Sequence, residues 1–476
     1  MTPEEFRRMG HRLVDWVADY RARIGDRPVM ARVDPGQVRD SLPEEPPESP
    51  EAWDDILEDI DRILLPGVTH WQHPRFFGYF PGNADLASVL GDVLSTGIGA
   101  VGVSWEAGPA LTELEEVVTD WARRMFGLSD RWTGVIQDTA STSTLVALLC
   151  ARERATDFSS EAAGMRATPA PLVVYASEQS HSSVTKAAKL AGFGQQGLRL
   201  IPCDDRYAMD PEALAAEMKK DRAAGAVPCA VVATSGTTGV TAFDPLEAIG
   251  ALARERGAWF HVDAAMAGAG MVLPELEPLF EGVEQADSLV INAHKWLGAA
   301  FDCALYYVRE PDPLLRVMST SPSYLRTPAD AQVRNLRDWG LPLGRRFRAL
   351  KLWFLIREQG VEGLRRRLRR DMENARWLAS QVQEADGWRV LAPVTLQTVC
   401  LRYEPPGVEG ERLDAFTRAW ARRINESGVA YLTSAALDSG WMVRVSIGAE
   451  ATERTHVEAL WAAMRREAEG EKSRTE

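Results

Sequence analysis

The apolar run Ser288-Leu-Val-Ile-Asn292 is followed at once by Ala293-His294-Lys295. A second run, Trp259-Phe-His-Val262, ends in the lone acid Asp263. Short continuous apolar runs read as buried strands, so an amine and a carboxylate stand at the ends of two of them. Partial burial lowers the pKa of a lysine and makes it a competent imine former. A carboxylate can keep a pyridine nitrogen protonated, and the charged ring then draws electrons from an attached carbanion. The pair suits pyridoxal phosphate, with Lys295 holding the aldehyde as a Schiff base and Asp263 on the ring nitrogen. The small residues Ala264-Ala-Met-Ala-Gly-Ala-Gly270 would let a flat ring approach the backbone. A solvated lysine and a helix-capping aspartate remain open alternatives on spacing alone.

Other polar groups sit at similar places. Thr139-Ala140-Ser141 follows the run 134–136 and precedes a helical pattern, where a phosphate binds readily. Hydroxyl residues before a helix are also ordinary caps. Ser235-Gly-Thr-Thr238 is a second small hydroxyl loop, and Asn292 offers a side-chain donor. His181 follows the run 172–175 and would be able to stack on a ring face, or be structural.

The elements that must position these residues alternate from about 80 to 310. Helical stretches at 111–126, 142–154, 184–191, 211–224 and 245–256 separate apolar runs at 134–136, 172–175, 198–201, 230–234, 259–262 and 288–292. That alternation predicts a mostly parallel, doubly covered α/β sheet. Ligands of such sheets sit beyond the carboxyl ends of the strands. Residues 4–25 read as an amphipathic helix, and 32–50 as a Pro- and acid-rich extended arm. A long helix is expected after Gly344, then a smaller unit with strands near 388–391, 398–402 and 442–447.

Composition narrows the classes. With 476 residues and a net charge of -14, a nucleic-acid or anionic-membrane surface is disfavoured. No run approaches a membrane span, and the first residues lack the apolar core of a signal peptide. Five scattered cysteines, Cys150, Cys203, Cys229, Cys303 and Cys400, suggest reduced thiols and a cytoplasmic setting. No metal-ligand spacing is present; His261 and Asp263 share a strand face but make a weak metal pair. No metal is expected.

Several motifs together resemble one family. They are Tyr175-Ala-Ser-Glu-Gln-Ser-His-Ser-Ser183, His261-Val-Asp-Ala-Ala265, Asn292-Ala-His-Lys295 and Leu343-Gly-Arg-Arg-Phe347. Gly67-Val-Thr-His-Trp-Gln-His-Pro-Arg-Phe-Phe-Gly-Tyr-Phe-Pro81 is a fifth. The chain resembles the aromatic-L-amino-acid decarboxylases, group II pyridoxal phosphate enzymes, nearly end to end. The resemblance implies the fold type I (aspartate-aminotransferase-like) architecture and a homodimer with active sites at the subunit interface. It implies a helical arm over 1–80 packing on the partner, a large cofactor domain over 81–350 and a small α+β domain over 351–476. Lys295 would be the Schiff-base lysine, Asp263 the partner of the ring nitrogen, and His181 would stack on the ring. Thr139, Ala140, Ser141 and Asn292 would surround the phosphate, and His294 and Thr238 would line the site. The loop departs from the family pattern at Asp138, whose carboxylate would repel a phosphate unless it points away.

Tyr324, in Ser323-Tyr-Leu325, matches a catalytic tyrosine that the family carries on a mobile loop reaching the neighbouring subunit's site. A phenol stays protonated at neutral pH and can reprotonate the carbanion left by decarboxylation. In related aldehyde synthases this residue is typically Phe, or the stacking histidine is replaced. Both Tyr324 and His181 are present, which favours amine formation over oxidative deamination. The substrate pocket implied by the resemblance comprises Trp71, Tyr79, Phe80, Pro81, Gly82, Val101, Val103 and Gly344. Gly82, Val103 and Gly344 leave room for a bulky apolar side chain, which favours Trp, with Phe and Tyr or Dopa behind. The alternatives are an aromatic aldehyde synthase and a non-aromatic group II decarboxylase.

Overall fold

The computed structural model describes residues 1–475 apart from 166, 167, 169, 321–329 and 331. Tyr324 lies outside the described residues. The chain divides into two compact units.

The larger unit spans residues 82–372 and 392–398. Its seven strands are β1 (Thr133–Gln137), β2 (Leu172–Ser177), β3 (Leu198–Ile201), β4 (Val227–Thr234), β5 (Trp259–Asp263), β6 (Ser288–Asn292) and β7 (Ala304–Val308). Their spatial order is β1-β7-β6-β5-β4-β2-β3. Strands β3, β2, β4, β5 and β6 pair in parallel. Strand β7 runs antiparallel to both β1 and β6, so β1 also points the same way as the others. The carboxyl ends of β1, β2, β4, β5 and β6 therefore lie along one edge. Strands β4 to β7 are buried on both faces, which is why they read as continuous apolar runs rather than alternating ones. The helix Ala140–Ala155 buries nine of its residues on nearly every side, so its sequence carries little amphipathic signal.

The helix Leu86–Ile98 crosses the helix Ala349–Glu384 at Gly91. A Cβ at Gly91 would stand 2.7 Å from the Cα of Lys351 and 2.8 Å from the Leu350 carbonyl oxygen. Gly91→Ala gains up to about 1 kcal/mol in helix propensity. The backbone collision outweighs that gain, so a net loss of about 1–2 kcal/mol is expected on urea denaturation. An unchanged midpoint would refute this close crossing. Lys351 itself is fully buried, 2.9 Å from Asp92 and 3.3 Å from the carbonyls of Ala300 and Asp302.

The second unit comprises residues 1–81, 373–391 and 399–476. Strands β8 (Trp388–Val390), β9 (Thr398–Tyr403), β10 (Thr433–Leu437) and β11 (Gly440–Ser446) form a sheet in the order β10-β11-β9-β8. The N-terminal segment is tied to this unit by backbone bonds. Val29 N–H donates to Gly428 O, Phe77 N–H to Tyr431 O, and Ser446 N–H to Phe77 O. The helix Pro3–Arg23 is closed by a capping box of Thr2 and Glu5 and buries only Met9.

Candidate active site

Five loops at the carboxyl edge of the large sheet carry the residues singled out above. Asp263 is the last residue of β5 and is 4% exposed. Its Oδ1 accepts the Ala265 N–H at 3.0 Å, and its carbonyl accepts the Ser235 N–H at 2.9 Å. Its Oδ2 accepts no hydrogen bond among the described residues. Lys295 follows β6 in the tight turn Ala293–Leu297, at φ -97° and ψ -114°. Its side chain is half-buried.

The turn is held from several directions. Asn83 Nδ2 donates to the Lys295 carbonyl at 2.9 Å. Trp296 Nε1 donates to the fully buried Asp371 at 3.0 Å, and Arg367 Nη2 to the Leu297 carbonyl at 2.6 Å. Burial pushes the Asp371 carboxyl up to about 6. His294 is 4% exposed, and its Nδ1 accepts the Cys303 N–H at 2.9 Å, which pins the far side of the same loop. Burial, and then the Lys295 charge, push His294 down to about 4. The sequence does not single out Asn83, Arg367 or Asp371: Arg367 and Asp371 sit inside a long helix, and Asn83, though next to Gly82, follows none of the apolar runs read as strands.

His181 caps the helix Ser182–Leu190 with Nδ1, which accepts the Ser183 N–H at 3.2 Å. Burial lowers its pKa; Asp263 raises it and Lys295 lowers it. The fold thus brings Asp263 and Lys295, from the ends of β5 and β6, within electrostatic reach of His181 at the end of β2. His261 lies inside β5, fully buried, with Nδ1 2.8 Å from Ser288 Oγ. Burial pushes it down to about 4.

Thr139 is the N-cap of the helix Ala140–Ala155, yet its side chain makes no capping bond. The Ala140 N–H donates to Asn292 Oδ1 at 3.1 Å. The Ser141 and Thr142 N–H groups meet no acceptor among the described residues, and Ser141 is exposed. Asp138 Oδ1 accepts the Thr139 N–H at 2.8 Å, and its charge acts on Arg348. The direct partner of that cation is Asp302, which its guanidinium meets at 2.9 and 3.3 Å. Thr238 is exposed in a turn after β4.

The pocket candidates divide between the two units. In the large unit the Gly102 N–H donates to the Arg345 carbonyl at 2.9 Å, and a Cβ on Gly344 would lie 3.4 Å from Val101 Cγ1. Gly344 and Val101 are therefore adjacent. The Arg345 guanidinium, 2.8 Å from the buried Glu115, anchors this wall. Gly82 and Val103 are half-buried. In the other unit Trp71 and Tyr79 stack at 5.5 Å with 8° between their planes and stay 42% and 50% exposed. Phe80 is buried against Gly448, and Pro81 is also buried.

The residues present fit pyridoxal phosphate. A carboxylate on a largely buried residue, with one oxygen held by the Ala265 N–H, suits a protonated ring nitrogen. Two unsatisfied N–H groups at a helix start suit a phosphate.

The chain is similar to known proteins over nearly its whole length. Residues 35–404 match the pyridoxal-dependent decarboxylase conserved domain. The chain is 39% identical to phenylacetaldehyde synthase of Arabidopsis thaliana, over 98% of this chain and 96% of that protein. It is also 39% identical to tryptophan decarboxylase 2 of Oryza sativa subsp. japonica, over 98% and 95%. The crystal structure of Oryza sativa TDC with PLP and tryptamine superposes with a TM-score of 0.96 at 34% identity, covering 99% of both chains. The chain belongs to the pyridoxal-dependent decarboxylase family. Its fold is that of the pyridoxal phosphate enzymes of fold type I, its cofactor is pyridoxal phosphate, and it is a carboxy-lyase.

Proposed function

We propose that the enzyme decarboxylates an aromatic L-amino acid, Trp before Phe, Tyr or Dopa, to the arylalkylamine and carbon dioxide. The observation that carries this reading is the cluster of His181, Asp263 and Lys295 at one sheet edge. The rice relative, a tryptophan decarboxylase, and the exposed Trp71–Tyr79 stack support an aromatic substrate. The small wall of Val101 and Gly344 supports a bulky one.

When bound, pyridoxal phosphate supplies the electron sink for the bond broken at the substrate Cα. Lys295 would tether the cofactor by its amine. Asp263 would pair with the ring nitrogen and His181 would stack on the ring. Thr139, Ala140, Ser141 and Asn292 would hold the phosphate, with Thr238 and His294 lining the site. Tyr324 delivers a proton to Cα after carbon dioxide leaves. Tyr324→Phe should leave cofactor loading intact and divert product towards the aldehyde, with dissolved oxygen as the oxidant and water consumed, and with hydrogen peroxide and ammonia released beside carbon dioxide. An unchanged amine yield would assign the proton to another donor. Aldehyde synthesis by the native chain is the second reading, favoured by its similarity to the Arabidopsis enzyme. Stoichiometric peroxide from the unaltered protein would establish it.

A homodimer fits the helix Leu86–Ile98. Its small residues Ser88, Gly91 and Ser95 are buried, while Leu86, Leu90, Val93, Leu94 and Ile98 are exposed along one face. Large apolar side chains turned outward in a row mark an interaction surface. Phe6, Leu13 and Val14 of the N-terminal helix are exposed in the same way, as expected for an arm that packs on the partner. Among the described residues no helix is long and apolar enough to cross a membrane. A cytoplasmic location is part of the proposal.

A further inference from the structure

Tyr79 has φ +48°, a left-handed conformation that non-glycine residues adopt rarely and at a cost of about 1–3 kcal/mol. Three contacts hold it there. Its N–H donates to Thr433 Oγ1 at 3.2 Å. Its carbonyl accepts from the buried Arg444 guanidinium at 2.8 Å. Its hydroxyl lies 3.3 Å from the Tyr431 hydroxyl. Tyr431 is itself stacked on Phe76 at 5.2 Å and 12°. A Cβ at Gly78 would lie 2.4 Å from the Tyr431 ring, so the preceding residue is kept small for that ring to reach Tyr79.

The result is a half-exposed aromatic face with a pair of phenol hydroxyls at its rim. One hydroxyl donates to the other, which leaves the pair with one unused proton and with free oxygen lone pairs. Burial and the bond to Tyr79 push the Tyr431 phenol up to about 12, so it keeps its proton across the neutral range.

We propose that Tyr431 is a specificity-determining positioning residue, which fixes Tyr79 so that their hydroxyl pair recognises a hydrogen-bonding group on the substrate ring. The recognised class is an aromatic amino acid carrying a ring N–H or O–H, such as an indole or a phenol, in preference to an unsubstituted phenyl ring. The inference rests on the reading that Trp71 and Tyr79 meet the substrate side chain.

The test compares Tyr431→Phe, Tyr79→Phe and Trp71→Ala holoenzymes on Trp, Tyr and Phe. Tyr431→Phe keeps the ring stack and removes one hydroxyl. Its expected effect is a rise in KM of about three- to tenfold for Trp and Tyr. Its kcat, its cofactor absorbance and its KM for Phe should stay close to those of the parent. Tyr79→Phe removes the other hydroxyl of the pair and should raise KM for Trp and Tyr more than for Phe, and Tyr431→Trp, which keeps a ring without the phenol, replaces Tyr431→Phe should that variant fold poorly. An equal change on all three substrates, or none on any, overturns the inference. Trp71→Ala separates the two failures. A raised KM for every aromatic substrate there upholds the underlying reading even where Tyr431 proves indifferent. An unchanged KM in all three variants removes both.

Discussion

Lys295→Ala is expected to lower turnover at least about a thousandfold and to abolish the visible absorbance of lysine-bound cofactor. The variant loses the side chain beyond Cβ, while the backbone of the turn is unchanged. The backbone of the turn keeps its bond from Asn83, the Trp296 indole keeps Asp371, and the Leu297 carbonyl keeps Arg367. His294 still receives the Cys303 N–H. Thermal stability without cofactor should therefore match that of the parent apoprotein. A visible band that survived the substitution would move the attachment to another lysine and refute the assignment.

Asp263→Asn should keep the fold and lose at least about a hundredfold in turnover. The amide oxygen can still accept the Ala265 N–H, so the loop keeps its shape. What disappears is the negative charge that holds a proton on the ring nitrogen. A second consequence has a definite sign. Asp263 raises the proton affinity of His181, against the effects of burial and Lys295. Removing the charge lowers the His181 pKa further, measurable by NMR of its ring protons. A variant with turnover within tenfold of the parent, or with His181 titrating higher, would contradict the proposed pairing.

The strands that carry the site were legible because they are short, apolar and followed by small or polar residues. β5, β6 and the helix Ala140–Ala155 lie within two residues of where periodicity puts them. The helix Leu86–Ile98 was not read, since its glycine and serines break the usual pattern and its large apolar side chains face outward. β7 has an ordinary strand composition, but its antiparallel direction follows from its pairing with β1 and β6. Asn83 lies 212 residues from Lys295, and Tyr79 lies 352 from Tyr431. No local pattern reports such contacts.

The sequence by itself determined the chemistry on offer: an amine, an acid, an imidazole and a hydroxyl loop, each at the end of an apolar run. It determined this because burial and turn propensity are properties of residue type and short-range spacing. Tertiary structure alone decided that these ends share one edge, that Asp263 and Lys295 both act on His181, and that Arg348 pairs with Asp302. It also decided that Tyr79 is held in a left-handed conformation by Thr433, Arg444 and Tyr431. Those outcomes depend on strand order and on contacts between distant segments, which only chain packing fixes.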